Sequence, residues 1–371
     1  MNKTLDLGKT LLVDGPASVT IISGKAEVFG FQATNPYNVI IREGKRLPFT
    51  AKETTKLWIS LGPKSCIKEI DGSTIPASWE NSFDKVKKIQ KRPATIMVIG
   101  GIDSGKTSFC TYLTNRLVSN EFRVAVLDED LGQSDIGPPC TVAYAYVKSP
   151  VTDMFNLQEQ NAVFIGTTSP SEALTQTLEA AVTLKSEILS KNTVDFVVVN
   201  TDGWVADEEA AKFKMHLAQV LQTDIVFCLH NKEDPNSLCD KIFEALPNCS
   251  QERTESSIAT DQRDREKRRS LRELGYTKYL KNAKTRIFLA HHITIKGNLM
   301  ALDKQCAENL LIGMYGSGDK FLGIGIIEKV DYARTALRIF TTVLEKPRVI
   351  VIGKVMLAKN LNENSEQTAF Y

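Results

Sequence analysis

Apolar residues follow two different rhythms along this chain. Over residues 1–90 they form short β-branched or aromatic runs, at 19–22, 26–29, 37–41 and 56–59. Asp14-Gly15-Pro16, Ser23-Gly24, Asn35-Pro36 and Leu61-Gly62-Pro63 punctuate them. Many short strands bounded by turn residues predict a small β sandwich or barrel. The basic stretch 85–93 ends in Pro93 and reads as a linker or linking helix. Between 94 and 295 the rhythm changes. Nearly continuous apolar runs at 95–99, 124–127, 162–165, 196–199, 225–229 and 287–289 alternate with helical patterns near 105–119, 171–189, 208–221 and 236–246. That alternation predicts a parallel sheet covered on both faces. From 296 to 371 β signals return at 310–314, 322–327, 336–340 and 349–353, and the polar last ten residues are expected to fray. The expected layout is three domains: β over 1–90, α/β over 91–295 and β over 296–371.

Composition narrows the class. The chain has 371 residues, and a domain length of about 150 residues suggests two to three domains. Hydrophobic residues make up 42% and charged residues 24%, which excludes disordered and collagen-like classes. No apolar run is long enough to span a bilayer, and the opening residues lack a signal-peptide core, so no membrane partner and a cytoplasmic location are expected. The seven cysteines are odd in number, scattered and without a CxxC pair, which argues against a zinc ribbon or a disulfide framework. The net charge of +2 hides a patch: over 263–286 ten Lys or Arg less three Asp or Glu leave +7, so the remainder sums to −5. Such a concentrated segment suits local engagement of phosphates, although a solvated helix face has the same composition.

The strongest chemical signal is Gly100-Gly101-Ile102-Asp103-Ser104-Gly105-Lys106-Thr107, a GxxxxGK[ST] match. A strand pattern enters it and a helical pattern leaves it, the context such a P-loop requires. Its glycines let successive N–H groups face an anion, and the helix N-terminus adds positive partial charge. Gly101, Asp103, Ser104, Gly105, Lys106, Thr107 and Ser108 are therefore the expected nucleotide-binding residues, with Lys106 on the β- and γ-phosphates and the Thr107 hydroxyl on Mg²⁺. A second strand pattern ends in Asp128-Glu129-Asp130-Leu131-Gly132-Gln133-Ser134. Acids at a strand end neighbouring the P-loop strand can organise Mg²⁺, directly or through water, and accept a proton from an attacking hydroxyl. Arg265, Arg268, Arg269 and Arg272 share a helix face, with Leu271 and Leu274 off it and able to dock it. Trp204 follows the strand pattern ending at Asn200, where an indole can stack on any base.

Two other signals compete. Asn231-Lys232-Glu233-Asp234 matches the N-K-x-D that reads guanine in GTPases, but no clean DxxG follows the second strand. His291 and His292 are adjacent, and neighbours on a strand point to opposite faces, which disfavours a shared metal ion.

Taken in order, these segments resemble the polynucleotide 5′-hydroxyl kinases, a family that includes the kinase subunit of eukaryotic pre-mRNA cleavage factor II, a nucleolar ribosomal-RNA-processing kinase and archaeal homologues. The P-loop and the D-x-D-x-G-Q-S of Asp128 to Ser134 carry the likeness. So do the G-x-T-S-P of Gly166 to Pro170, the N-T-x-G-W of Asn200 to Trp204, and the arginine-rich stretch 263–272. The resemblance implies a P-loop NTPase fold between two β domains, with a lid over 256–285. It implies that ATP and Mg²⁺ are bound by Lys106 and Thr107, with Asp128 near the metal. Asp130 would position and activate an RNA 5′-hydroxyl, and Gln133 would contact the phosphate region. Thr167 or Thr168 would touch the first RNA phosphate, and Trp204 would stack on the terminal base. Arg263 and Arg268 would be lid arginines, one of them stabilising the transferring group, and Arg269 and Arg272 would add substrate contacts. The expected activity is phosphorylation of RNA 5′-hydroxyl ends in RNA processing, tRNA included, with DNA as a second acceptor and RNA-processing proteins as partners. The alternatives are an ATP-bound, non-catalytic scaffold and, from the N-K-E-D segment, a GTPase assembly factor.

Overall fold

A computed structural model describes residues 1–205, 207–230, 237–244, 246, 249–260, 262–303, 306–358 and 360–363. The Asn231–Asp234 motif and the last eight residues lie outside the described residues. The chain divides into two compact units. The first comprises Met1–Leu127, Tyr146–Leu157 and Lys185–Lys267; the second comprises Asp128–Ala145, Gln158–Leu184 and the chain from Arg268.

In the first unit, residues 2–71 build two antiparallel sheets. One orders its strands Asn2–Leu5, Thr55–Leu61, Ala17–Ser23, Tyr37–Ile41; the other Phe31–Thr34, Lys25–Val28, Arg46–Ala51, Lys9–Asp14, Ile67–Asp71. Period-two burial explains them: Leu57 and Ile59 point inward while Lys56, Trp58 and Ser60 face solvent. Helix Ala77–Lys88 follows, so the basic stretch 85–93 starts as a helix end rather than a free linker. Trp79, Ser82, Phe83 and Val86 recur every three or four residues and are buried. The Trp79 ring sits 5.1 Å from Phe109, and its indole N–H donates to the Glu255 carbonyl at 2.8 Å.

The α/β part of this unit carries a sheet ordered Val124–Asp128, Phe196–Asn200, Ala94–Gly100, Ile225–His230, Ser250–Glu255. The central strand, Ala94–Gly100, is buried at every position and runs parallel to both neighbours. One expectation needs correcting, and one strand had no signal. The strand Val124–Asp128 is not a neighbour of the P-loop strand, because Phe196–Asn200 lies between them. A helical crossover can skip one place in a sheet, and a later strand fills it. The edge strand Ser250–Glu255, with the sequence SQERTE, carries no apolar signal, because an edge needs little burial.

The second unit holds an antiparallel pair, Thr141–Val147 with Asn161–Phe164, so the apolar run expected as a parallel strand at 162–165 runs the other way. Its largest element is a six-stranded sheet ordered Lys284–Leu289, Ala336–Thr341, Phe321–Asp331, Leu310–Tyr315, Val349–Met356, Thr294–Gly297. Lys284–Leu289 pairs antiparallel with Ala336–Thr341, so the run at 287–289 belongs to this sheet and not to the parallel one. One apolar cluster joins Leu311, Ile324 and Ile326 of the sheet to Tyr276 and Leu280 of the arginine-rich helix Arg265–Leu280. Docking therefore uses Tyr276 and Leu280; Leu271 is buried as well, while Leu274 is half-exposed.

Cys228 and Cys239 form a disulfide with Cα atoms 6.0 Å apart, against the expectation from scattered cysteines. Their separation of 11 positions carries no framework pattern, but helix Ser237–Glu244 folds back on strand Ile225–His230 and brings them together. Among the described residues no helix is long and apolar enough to cross a membrane.

Candidate active site

In the first unit the strand Ala94–Gly100 delivers the glycine loop onto helix Lys106–Ser119. The residue before that helix, Gly105, has φ 90° and lends it no side-chain cap, so no capping side chain competes for the first-turn N–H groups. This is the geometry of an anion receptor. The Lys106 ammonium donates to the Gly101 carbonyl at 2.8 Å, folded along its own loop. Ser104 is buried, and its hydroxyl lacks a hydrogen-bond partner within the protein. Thr107 and Ser108 are half-buried in the first helical turn. The loop suits a polyphosphate and supplies hydroxyl oxygens of the kind Mg²⁺ accepts.

The segment after Phe196–Asn200 packs on this loop. A Cβ added to Gly203 would lie 2.9 Å from the Ile102 Cα, so only glycine lets the two backbones approach so closely. Thr201 donates to the Val98 carbonyl at 2.8 Å and ties the segment to the P-loop strand. Asp202 and Lys214 form a buried ion pair, and the Asp202 carboxylate also accepts the Trp204 N–H at 2.6 Å. The Trp204 indole N–H donates to Asp207 at 3.0 Å, and its ring centroid lies 6.2 Å from that of Phe213. Asp207 also caps helix Glu208–Val220 through the Ala210 N–H. That bond first, and the indole second, hold the Asp207 carboxyl below its ordinary 3.8. The half-buried Trp204 is thus fixed from two sides beside the P-loop.

Arg263 reaches the same loop. Its backbone N–H donates to the Asp103 carboxylate at 2.9 Å, and its guanidinium lies 3.9 Å from that carboxylate. P-loop, Trp204 segment and Arg263 therefore converge within the first unit.

The second unit gathers a different set. Asp128 is buried, and one of its oxygens accepts from the Ser134 hydroxyl at 3.2 Å and from the N–H groups of Asp135 at 2.8 Å and Ile136 at 3.2 Å. Asp130 accepts the N–H groups of Gly132 at 3.1 Å and Gln133 at 2.8 Å. These donors compensate the Asp128 and Asp130 carboxylates for the water they lose. The Gln133 amide donates to the Arg268 carbonyl at 3.0 Å. A Cβ on Gly132 would lie 2.9 Å from the Thr168 carbonyl, which places the Thr167–Thr168 segment against the Asp130 loop. Thr167 is buried, and its hydroxyl donates to Glu172 at 3.1 Å. Asp130, Gln133, Thr168 and Arg268 are thus brought together.

Arg269 and Arg272, the expected substrate contacts, bond protein groups. Arg272 forms a two-pronged pair with Glu363 at 2.6 and 2.7 Å, and Arg269 bonds Glu273 and the Glu363 carbonyl. Burial works against the Arg272 cation, but Glu363 outweighs it and raises its pKa. Sequence reasoning missed Glu363, Lys214 and Asp207, which sit in no motif, and Asp202, which fills the unspecified position of N-T-x-G-W. His291 and His292 are exposed in a short turn, not a strand, and no group of three His, Cys, Asp or Glu poised for a metal occurs among the described residues.

Comparison with known proteins places this geometry. Residues 100–282 match the family model for the P-loop region of the mRNA cleavage and polyadenylation factor CLP1. The polyribonucleotide 5′-hydroxyl-kinase of Thermococcus kodakarensis is 25% identical over 338 residues, covering 76% of this chain and 94% of that protein. The zebrafish protein named polyribonucleotide 5′-hydroxyl-kinase Clp1 is 24% identical over 59% of this chain and 52% of its own length. Among solved structures, wild-type Clp1p in its complex with Pcf11p superposes with a TM-score of 0.77 over 95% of this chain and 97% of that one, at 17% identity, a likeness of fold. The kinase of the same name from Pyrococcus abyssi is 32% identical and covers 69% of this chain and 72% of its own, and the chain accordingly belongs to the Clp1-type family of polyribonucleotide 5′-hydroxyl kinases.

Proposed function

We propose that this chain transfers the γ-phosphoryl group of ATP to the 5′-hydroxyl end of RNA, with DNA as a second acceptor. The observation that carries the reading is the meeting of an uncapped P-loop helix, a braced tryptophan and an arginine within one unit. Phosphoryl transfer is mostly positioning and charge neutralisation, and these parts supply both. Gly101, Asp103, Ser104, Gly105 and Ser108 shape the cradle, and Lys106 neutralises the β- and γ-phosphates. Exchanging its carbonyl partner for a phosphate oxygen replaces a bond to a neutral acceptor with one to a charged acceptor.

When bound, Mg²⁺ supplies further neutralisation of the triphosphate, held by the Thr107 hydroxyl. Asp128 would help to organise it, directly or through water. Asp130 orients the RNA 5′-hydroxyl and takes its proton. Gln133, Thr167 and Thr168 serve the substrate phosphates. Trp204 stacks on the terminal base; because its indole N–H is already used by Asp207, stacking tolerates any base. Arg263 and Arg268 are the lid arginines, and Arg269 and Arg272 steady the helix as well as drawing in RNA.

Incubation with γ-labelled ATP and a 5′-hydroxyl oligoribonucleotide tests this. Label at the 5′ end is expected. Nucleotide binding without transfer would support the scaffold reading instead.

A further inference from the structure

A carboxylate in a phosphate-binding loop is out of place, because it repels the ligand unless it faces elsewhere. Asp103 occupies such a position, with φ 57° in the left-handed region, which asparagine and aspartate tolerate better than most residues. Its carboxylate accepts the Arg263 N–H at 2.9 Å, so it is spent on the root of the arginine-rich segment rather than left facing the loop. The Arg263 guanidinium, at 3.9 Å, is within ion-pairing range but beyond a hydrogen bond.

A second contact joins the same two segments independently. A Cβ on Gly105 would lie 2.9 Å from the Thr260 Cγ2, so Thr260 lies directly on the P-loop. Its segment is itself braced: the Ser257 hydroxyl donates to the Thr74 carbonyl at 2.8 Å, and Thr260 bonds the Ser257 carbonyl through both its N–H and its hydroxyl.

We infer that Asp103 is the positioning residue for the lid arginine Arg263, coupling the lid's root to the phosphate loop. The short bond fixes the Arg263 main chain. The ion pair holds the guanidinium close to the loop, where a phosphate, which offers more charge and two-pronged bonding, can draw it over. Filling the P-loop and swinging the arginine thereby become one event. This inference rests on the kinase reading above.

The test is a double-mutant cycle on the full chain, scored by label transfer with kcat and the KM for ATP measured separately. Asp103→Ala is expected to lower kcat about 10-fold or more, the scale of one lost hydrogen bond to a charged acceptor, with KM changed less than about twofold. Asp103→Asn keeps an oxygen for the Arg263 N–H and should recover most of that loss. In an Arg263→Ala background, Asp103→Ala should cost nothing further. If it again costs tenfold, or if it raises KM with kcat intact, Asp103 only shapes the phosphate loop and the inference falls. Should Asp103→Ala fail to fold, Asp103→Glu decides, since the longer side chain displaces the bond; wild-type kcat in that variant would overturn the coupling. Wild-type protein that binds nucleotide but transfers nothing sinks the kinase reading and this inference with it, whereas an additive cycle in an active enzyme sinks this inference alone.

Discussion

Two strand ends carry the chemistry in the proposed reaction, and they dispose of their backbone N–H groups in opposite ways. After Ala94–Gly100 the chain enters a helix whose first turn has no side-chain cap, and the nearest cation folds back on a carbonyl. After Val124–Asp128 the chain consumes its own donors, because Asp128 and Asp130 take the N–H groups of Gly132, Gln133, Asp135 and Ile136. The first loop is a receptor for negative charge. The second holds negative charge of its own in a fixed place. Phosphoryl transfer needs both, one to hold the donor and one to orient the acceptor hydroxyl.

The sharpest way to break the contrast is to neutralise one carboxylate without removing its oxygen. Asp130→Asn still accepts from Gly132 and Gln133, so the fold should survive while transfer falls by about 10²–10⁴-fold, the range for general-base removal. Initial rates with labelled ATP, beside unchanged nucleotide affinity, check this. An effect on ATP affinity of similar size would mean the second loop is not specialised for the acceptor.

Next comes the brace under Trp204. Lys214→Met leaves the buried Asp202 carboxylate without its cation and should cost about 3–5 kcal/mol of stability. Denaturant unfolding measures it, and a loss under about 1 kcal/mol would show the pair to be dispensable. Trp204→Ala should then weaken RNA binding by about 1–3 kcal/mol, seen as a raised KM for RNA with the KM for ATP little changed. Equal shifts in both constants would assign Trp204 to the nucleotide instead. The smallest effect is in pH. The Asp207 carboxyl sits below its ordinary 3.8, so its hold on the indole is complete above that value and fades as pH falls through the lower folded value. The fluorescence difference between wild type and Trp204→Phe should therefore be flat at neutral pH and titrate only in acid. A transition near pH 6 would implicate another group.

Local pattern decided a good deal. The GxxxxGK[ST] match marks its own strand, loop and helix, because each residue type there answers a local demand of backbone or phosphate. Nearly continuous apolar runs betrayed the buried parallel strands Ala94–Gly100, Phe196–Asn200 and Ile225–His230, since burial on both faces leaves few polar positions. The order of motifs pointed to the family that the Pyrococcus abyssi relative supports.

Spatial order was beyond that reading. Which strand lies beside the P-loop strand, where the run at 287–289 pairs, and that SQERTE forms an edge depend on contacts between distant segments, and no window of sequence holds that information. The same is true of the Cys228–Cys239 link, the Asp202–Lys214 pair beneath Trp204, the Glu363 clasp on Arg272 and the Asp103 bond to Arg263. A phosphate loop is written in adjacent residues because it binds through its own backbone. A braced side chain takes its partner from wherever the fold brings one, so only three-dimensional packing names it.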